Sequence, residues 1–306
     1  MKREVRWQRM FPDELEAAAA QHPVVYQPLG LCEPHGPGNA VGLDAIKAEG
    51  VCVHTARKHG GIVAPTVYWH AHEIGAFGQW SHQTMGSARP WLTSLPPWMY
   101  LKNLCYQFRA FDALGLKVAV ALSGHAGPIH GDTLRLVELL QPHLSIRLFY
   151  TMEFRLLKDE IAQAGWGLDH AGAMETAFLW AVAPQLVDSS RWPPRNELPG
   201  RGTVQPLAVG GDIYSADRRL AEQMIDTYAN KLHAGVHRLI GEYDRVHPDG
   251  ARPALSFADV DRLWAEVIRP ELSSFGSMQA VAEGLLPPED SRWRRNCAIP
   301  EDTSCL

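Results

Sequence analysis

No stretch of this 306-residue chain approaches about 20 uninterrupted apolar residues, so the sequence offers no membrane-spanning helix. Its first residues, MKREVRWQRMFPDELEAA, lack the apolar core of a secretory leader. The five cysteines, Cys32, Cys52, Cys105, Cys297 and Cys305, have no Cys-x-x-Cys spacing. That disfavours both a cysteine zinc site and a disulfide framework, and it fits reduced thiols in a cytoplasm. Cys297 and Cys305 could pair, which their positions alone leave open. The ending TSCL is not a prenylation box, because its Cys is second from last. A net charge of -5 gives no reason to expect nucleic acid or an anionic membrane surface. Arg292, Arg294 and Arg295 read as a solvated turn. There is no internal repeat.

With 46% hydrophobic and 21% charged residues, the chain is an ordinary globular one, long enough to bury a sizeable core. Apolar runs at Val24 to Tyr26, in IVAPTVYW, in LKVAVALSG and in SIRLFYTM read as strands. Helical patterns lie between them: from Asp44 to Gly60, in WMYLKNLCYQFRAFDALG, from Thr133 to Leu140 and in EFRLLKDEIAQAG. DHAGAMETAFLWAVAPQLV and a long segment from Asp217 to Tyr243 read as further helices. This alternation predicts an α/β fold with a mostly parallel central sheet flanked by helices on both faces. Residues 1–247 are expected to form the working domain and residues 248–306 a helical extension. In the extension, FADVDRLWAEVI puts Phe257, Val260, Leu263, Trp264 and Val267 on one face, expected to be buried, preferably at a subunit boundary.

In such folds ligands bind beyond the carboxyl ends of the strands. The Gly- and Pro-rich loop PLGLCEPHGPGNAVGLD falls there and carries Glu33, His35 and Asp44. SGHAG places His125 after a second strand, and His170 and Glu175 open a later helix. Carboxylates and imidazoles without nearby thiols suit zinc, manganese or iron(II). A strand-end His taken alone is more often a hydrogen-bonded structural residue. Residues 70–97 form a long His- and Trp-rich segment without clear period, as lids and binding loops do. His130 and Asp132 read as a helix-start cap.

In EPHGPGNAVGLD, GHAGP and HAGAMET, in that order, the sequence resembles the creatininase (creatinine amidohydrolase) family over roughly residues 5 to 245. The resemblance implies a layered α/β/α fold, two divalent metal ions and a homo-oligomer, commonly a hexamer in creatininases. It implies that Glu33 and His125 hold one ion, His35 and Glu175 the other, and that Asp44 bridges. It makes His170 the proton donor. It sets Trp166 against the substrate, although core packing explains that residue as simply. His72 and Glu73 are expected to line the pocket. The chain departs from the family pattern at Gly38, Gly127 and Pro128, so creatinine is not the expected substrate. The function expected is hydrolysis of a non-peptide C–N bond, in a cyclic amide or formamide, by a hydroxide that two metals activate. Zinc is the first choice of metal, with manganese or iron as alternatives. The rivals are a peptidase-like member trimming a peptide-derived precursor and an inactive metal-binding protein of the same fold.

Overall fold

The computed structural model describes residues 3–72, 76–86, 92–127, 129–278 and 286–294, without the side chains of residues 76 and 77. In chain order it comprises α1 (Pro12–Gln21), β1 (Val24–Leu29), α2 (Leu43–His59), β2 (Ile62–Val63), β3 (His70–Ala71), α3 (Ala76–Met85) and β4 (Ser94–Leu95). There follow α4 (Pro97–Ala113), β5 (Val118–Ser123), α5 (Ile129–Leu140), β6 (Arg147–Met152), α6 (Lys158–Gln163) and α7 (Ala173–Val182). The hairpin β7 (Thr203–Val204) and β8 (Val209–Gly210), the long α8 (Arg218–Val246) and α9 (Phe257–Leu263) complete it.

The central sheet is parallel, in the order β2-β1-β5-β6. β1 and β5 are buried along their whole length, as strands covered on both faces must be. Their side chains alternate between two cores. Val25, Leu29, Ala119 and Ala121 face one, with residues of α4 and α5. Val24, Tyr26, Val118, Val120 and Leu122 face the other, with residues of α2, α7 and α8. This is the expected fold class. The expected strand IVAPTVYW is shorter than its composition suggests: Pro65 supplies no N–H, and pairing continues only as a single bridge between Leu29 and Val67.

The extension departs from expectation. Val260, Leu263, Trp264, Ile268, Leu272 and Phe275 join the core formed by α4 and α5 of the same chain. The face expected at a subunit boundary therefore covers its own sheet layer. Phe257, expected on the buried side, is 66% exposed and carries the Arg109 guanidinium 4.9 Å from its ring centre. Val267 is only partly buried. Asp132 is not a helix cap. It accepts the N–H of Gly276 (2.6 Å) and of Ser277 (2.9 Å), tying the extension to α5. Further on, Trp293 is fully buried with Met85 of α3, and Trp80 packs against them. Cys297 and Cys305 lie outside the described residues. Among the described residues no helix is long and apolar enough to cross a membrane.

Candidate metal centre

The site is assembled at the carboxyl ends of β1, β5 and β6, where α2 and α7 begin. Two glycines make the approach feasible. A Cβ on Gly30, after β1, would come within 2.4 Å of the Ala45 nitrogen. One on Gly124, after β5, would come within 2.1 Å of the Asp44 carbonyl oxygen. Without side chains at these two positions, the first turn of α2 rests directly on both strand ends and delivers Asp44 between Glu33 and His125.

The carboxylate oxygens and imidazole nitrogens then converge. His35 Nε2 lies 3.1 Å from Asp44 Oδ1, 3.7 Å from Glu175 Oε2 and 3.8 Å from Glu33 Oε1. His125 Nδ1 lies 3.1 Å from Glu33 Oε1 and 3.3 Å from Asp44 Oδ2. His72 Nε2 is 3.2 Å from Glu33 Oε2. Three overlapping groups bring their donor atoms within 4.8 Å of one another: Glu33, His72 and His125; Glu33, His35 and His170; and His35, Asp44 and Glu175. Glu33, His35, His72, Asp44, His125 and Glu175 are all buried.

Local bonding sets the tautomers. His35 Nδ1 faces the Glu33 carbonyl at 3.0 Å, so it must donate, and Nε2 is the nitrogen that turns to the cluster, with a lone pair once the ring is neutral. His170 Nε2 faces the Pro34 carbonyl at 2.8 Å, so its Nδ1 is the nitrogen that looks toward Glu33, 3.8 Å away. The two rings stack at 4.2 Å. Glu175 Oε2 accepts the Ala171 N–H at 2.7 Å, which pins the helix start to this carboxylate. Asp212 holds that turn from beneath, accepting N–H groups of Gly167 and Ala173 at 2.8 Å each.

Charge density raises the imidazoles. Burial opposes protonation, but Asp44 and Glu33 more than offset it: His35 is pushed up to about 9 and His125 up to about 10. Asp44 is held well below the carboxylate range: burial raises its carboxyl, and the two imidazoles outweigh that. His170 goes the other way, lowered by burial and by its neighbour His35. Among the described residues, neither oxygen of Asp44, nor His35 Nε2, makes a hydrogen bond of normal geometry. Buried polar atoms left so cost free energy unless something else satisfies them. Three carboxylates, nearby imidazoles and no thiolate form a donor set that fits divalent ions of borderline hardness.

A cavity of about 420 Å³ opens above the cluster, lined among others by Trp80, His125, Glu153, Phe154, Leu168 and His170. Trp166 is not on its wall. It sits in the core against α7 and α8, its Nε1–H bonded to the Ser215 carbonyl at 2.9 Å, because its turn faces inward. The tryptophan on the cavity wall among the described residues is Trp80, 5.0 Å from the His170 ring. His72, expected only to line the pocket, stands with Glu33 and His125 in a group that could hold a metal ion. Glu73 lies outside the described residues.

Sequence reasoning missed Lys47 and Glu153. Lys47 is fully buried, bonded to Glu175 Oε1, 2.8 Å from Glu153 Oε1 and 3.6 Å from Asp44 Oδ1. The signal was its spacing, one turn beyond Asp44 on the same helix face.

The creatininase family model, described as creatinine amidohydrolase, matches residues 8–236, and the chain belongs to that family. Creatinine amidohydrolase of Pseudomonas putida is 28% identical over 197 residues, 58% of this chain and 72% of that protein. The manganese form of creatininase superposes with a TM-score of 0.60 at 22% identity, covering 77% of this chain and 98% of that one. A mutant creatininase of the Zn-Zn type gives the same values. A mutant complexed with creatine gives 0.60 at 21% identity, with 77% and 98% covered.

Proposed function

We propose that the chain is a metal-dependent amidohydrolase acting on a non-peptide C–N bond, that of a cyclic amide or a formamide, with two divalent ions as cofactors. The observation that supports this best is Asp44, whose two oxygens face two different imidazoles, those of His35 and His125. In this reading Glu33, His125 and His72 would hold one ion, His35 and Glu175 the other, and Asp44 would serve both. Zinc and manganese are the first candidates, since creatininase is known in both forms. When bound, the ions supply Lewis-acid activation of water and of the scissile carbonyl.

The chain's own residues orient and move the proton. His170, anchored through Nε2, presents Nδ1 to the cavity and would deliver a proton there to the leaving nitrogen. Its lowered proton affinity suits a group that must first accept a proton and then release it. Trp80, edge-on to His170, and Phe154 narrow the cavity and limit water around the transferring proton. The volume suits a small molecule.

The test is a panel of lactams, formamides and capped peptides offered to protein reconstituted with zinc or manganese. Metal-dependent turnover of a lactam or formamide is the expected result. Turnover confined to capped peptides would overturn the substrate class.

A further inference from the structure

Trp80 lines the cavity from α3, a helix that falls between β3 and β4, outside the central sheet. Its indole stands edge-on to the His170 ring at 5.0 Å and to the His72 ring at 6.2 Å. The described apolar residues of α3 belong to a small core of their own, apart from the two that cover the sheet. Met85 is buried there with Ala208, from the β7–β8 turn, and with Trp293, and Trp80 and Leu92 pack against them.

Trp293 comes from the carboxy-terminal extension, beyond the residues 8–236 that match the family model. It is fully buried and is the largest of the buried side chains in this core. Ser291 ties the same segment to α3. Its Oγ accepts the Trp293 N–H at 3.2 Å and lies 3.0 Å from His82 Nδ1, within reach to donate its own hydrogen there. His82 and Met85 are three residues apart, so they share the helix face that this segment covers. The other hold on α3 is the hairpin, where the Ala208 N–H reaches the Thr84 carbonyl at 3.0 Å. A helix held by so small a core is placed by each large side chain in it.

We infer that Trp293 is a positioning residue for the substrate: it fixes α3 so that Trp80 stays against His170 on the cavity wall. The end of the extension thus completes the site from behind, while Trp264 and its neighbours cover the sheet. The inference rests on the amidohydrolase reading of the same site.

The test combines hydrogen exchange with a double-mutant cycle on metal-reconstituted protein. In Trp293→Ala, amide exchange in α3 should quicken by about tenfold or more while β1 and β5 stay protected. On the lactam or formamide that the wild type turns over, Trp80→Ala should lower kcat/KM by about tenfold. Trp293→Ala should lower it by about as much, with the same division between kcat and KM. The double variant should then lose no more than about twofold beyond Trp80→Ala, whereas independent effects would multiply to about a hundredfold. Where Trp293→Ala fails to fold, Trp293→Leu, which leaves a smaller hole, is read in its place. Unchanged exchange in α3, undiminished kcat/KM, or losses that multiply would each overturn the inference. A wild type that turns over no lactam or formamide sinks the amidohydrolase reading instead, and the exchange still decides whether Trp293 sets α3.

Discussion

Lys47 and Glu175 form an ion pair inside the protein, the lysine fully buried and the carboxylate also within reach of His35. The lysine takes Oε1 and so leaves Oε2 turned toward the imidazole and the Ala171 N–H. One cation thereby orients the carboxylate proposed to hold metal and compensates Glu153 as well.

Replacing that cation should be expensive. Lys47→Met keeps most of the volume but strands two buried carboxylates. The expected loss of unfolding free energy is about 3–5 kcal/mol for the metal-free protein, the scale for breaking a buried pair from one side. Urea denaturation measures it. The double variant Lys47→Met, Glu153→Gln should recover part of the loss, because one stranded charge is gone.

Metal uptake should depend steeply on pH. Without metal, His35 and His125 titrate near 9 and 10, so at neutral pH both carry protons that an ion must displace. Affinity should rise with pH up to that range, by up to about tenfold per pH unit for each proton released. The sign for stability is the opposite. Both folded values lie above the unfolded histidine's, so their stabilisation of the metal-free protein is complete below about pH 6.5 and lost as pH rises through 9 to 10. Titrating metal in buffers of different ionisation enthalpy counts the protons directly.

His170→Ala should separate holding metal from moving protons. With Nε2 committed to Pro34, the ring is proposed to act through Nδ1. The variant should retain its ions and lose turnover by about 10²–10⁴-fold. Elemental analysis beside kcat on the lactam or formamide that the wild type turns over decides it. A metal-depleted variant would make His170 a ligand.

Trp264→Ala tests the extension. Trp264 is 2% exposed in the core shared with α4 and α5. Its removal should cost about 3–5 kcal/mol. Thermal or urea unfolding reads the loss, and a change under about 1 kcal/mol would show that the extension only rests on the domain.

The parts legible in the sequence were those carried by short-range spacing. Glu33, His35 and Asp44 share one loop, and His170 and Glu175 one helix start. The α/β alternation put those segments at strand ends. What escaped needed knowledge of which way a side chain faces. Lys47 on an amphipathic helix looks like a solvated residue until the helix is seen to point that face at three carboxylates. The family resemblance set Trp166 in the pocket, yet its turn faces the core. The extension's apolar face was readable, but its partner, α4 and α5 some 150 residues earlier, leaves no local trace. Trp80 reaches the cavity from α3, a segment whose irregular composition hid its helix.

The central claim is that Asp44 serves two ions, and elemental analysis of purified protein tests it most directly. Wild type should carry about two divalent ions per chain, His125→Ala about one, and Asp44→Asn close to none, because a shared carboxylate supports both positions. Undiminished metal in Asp44→Asn would contradict the account.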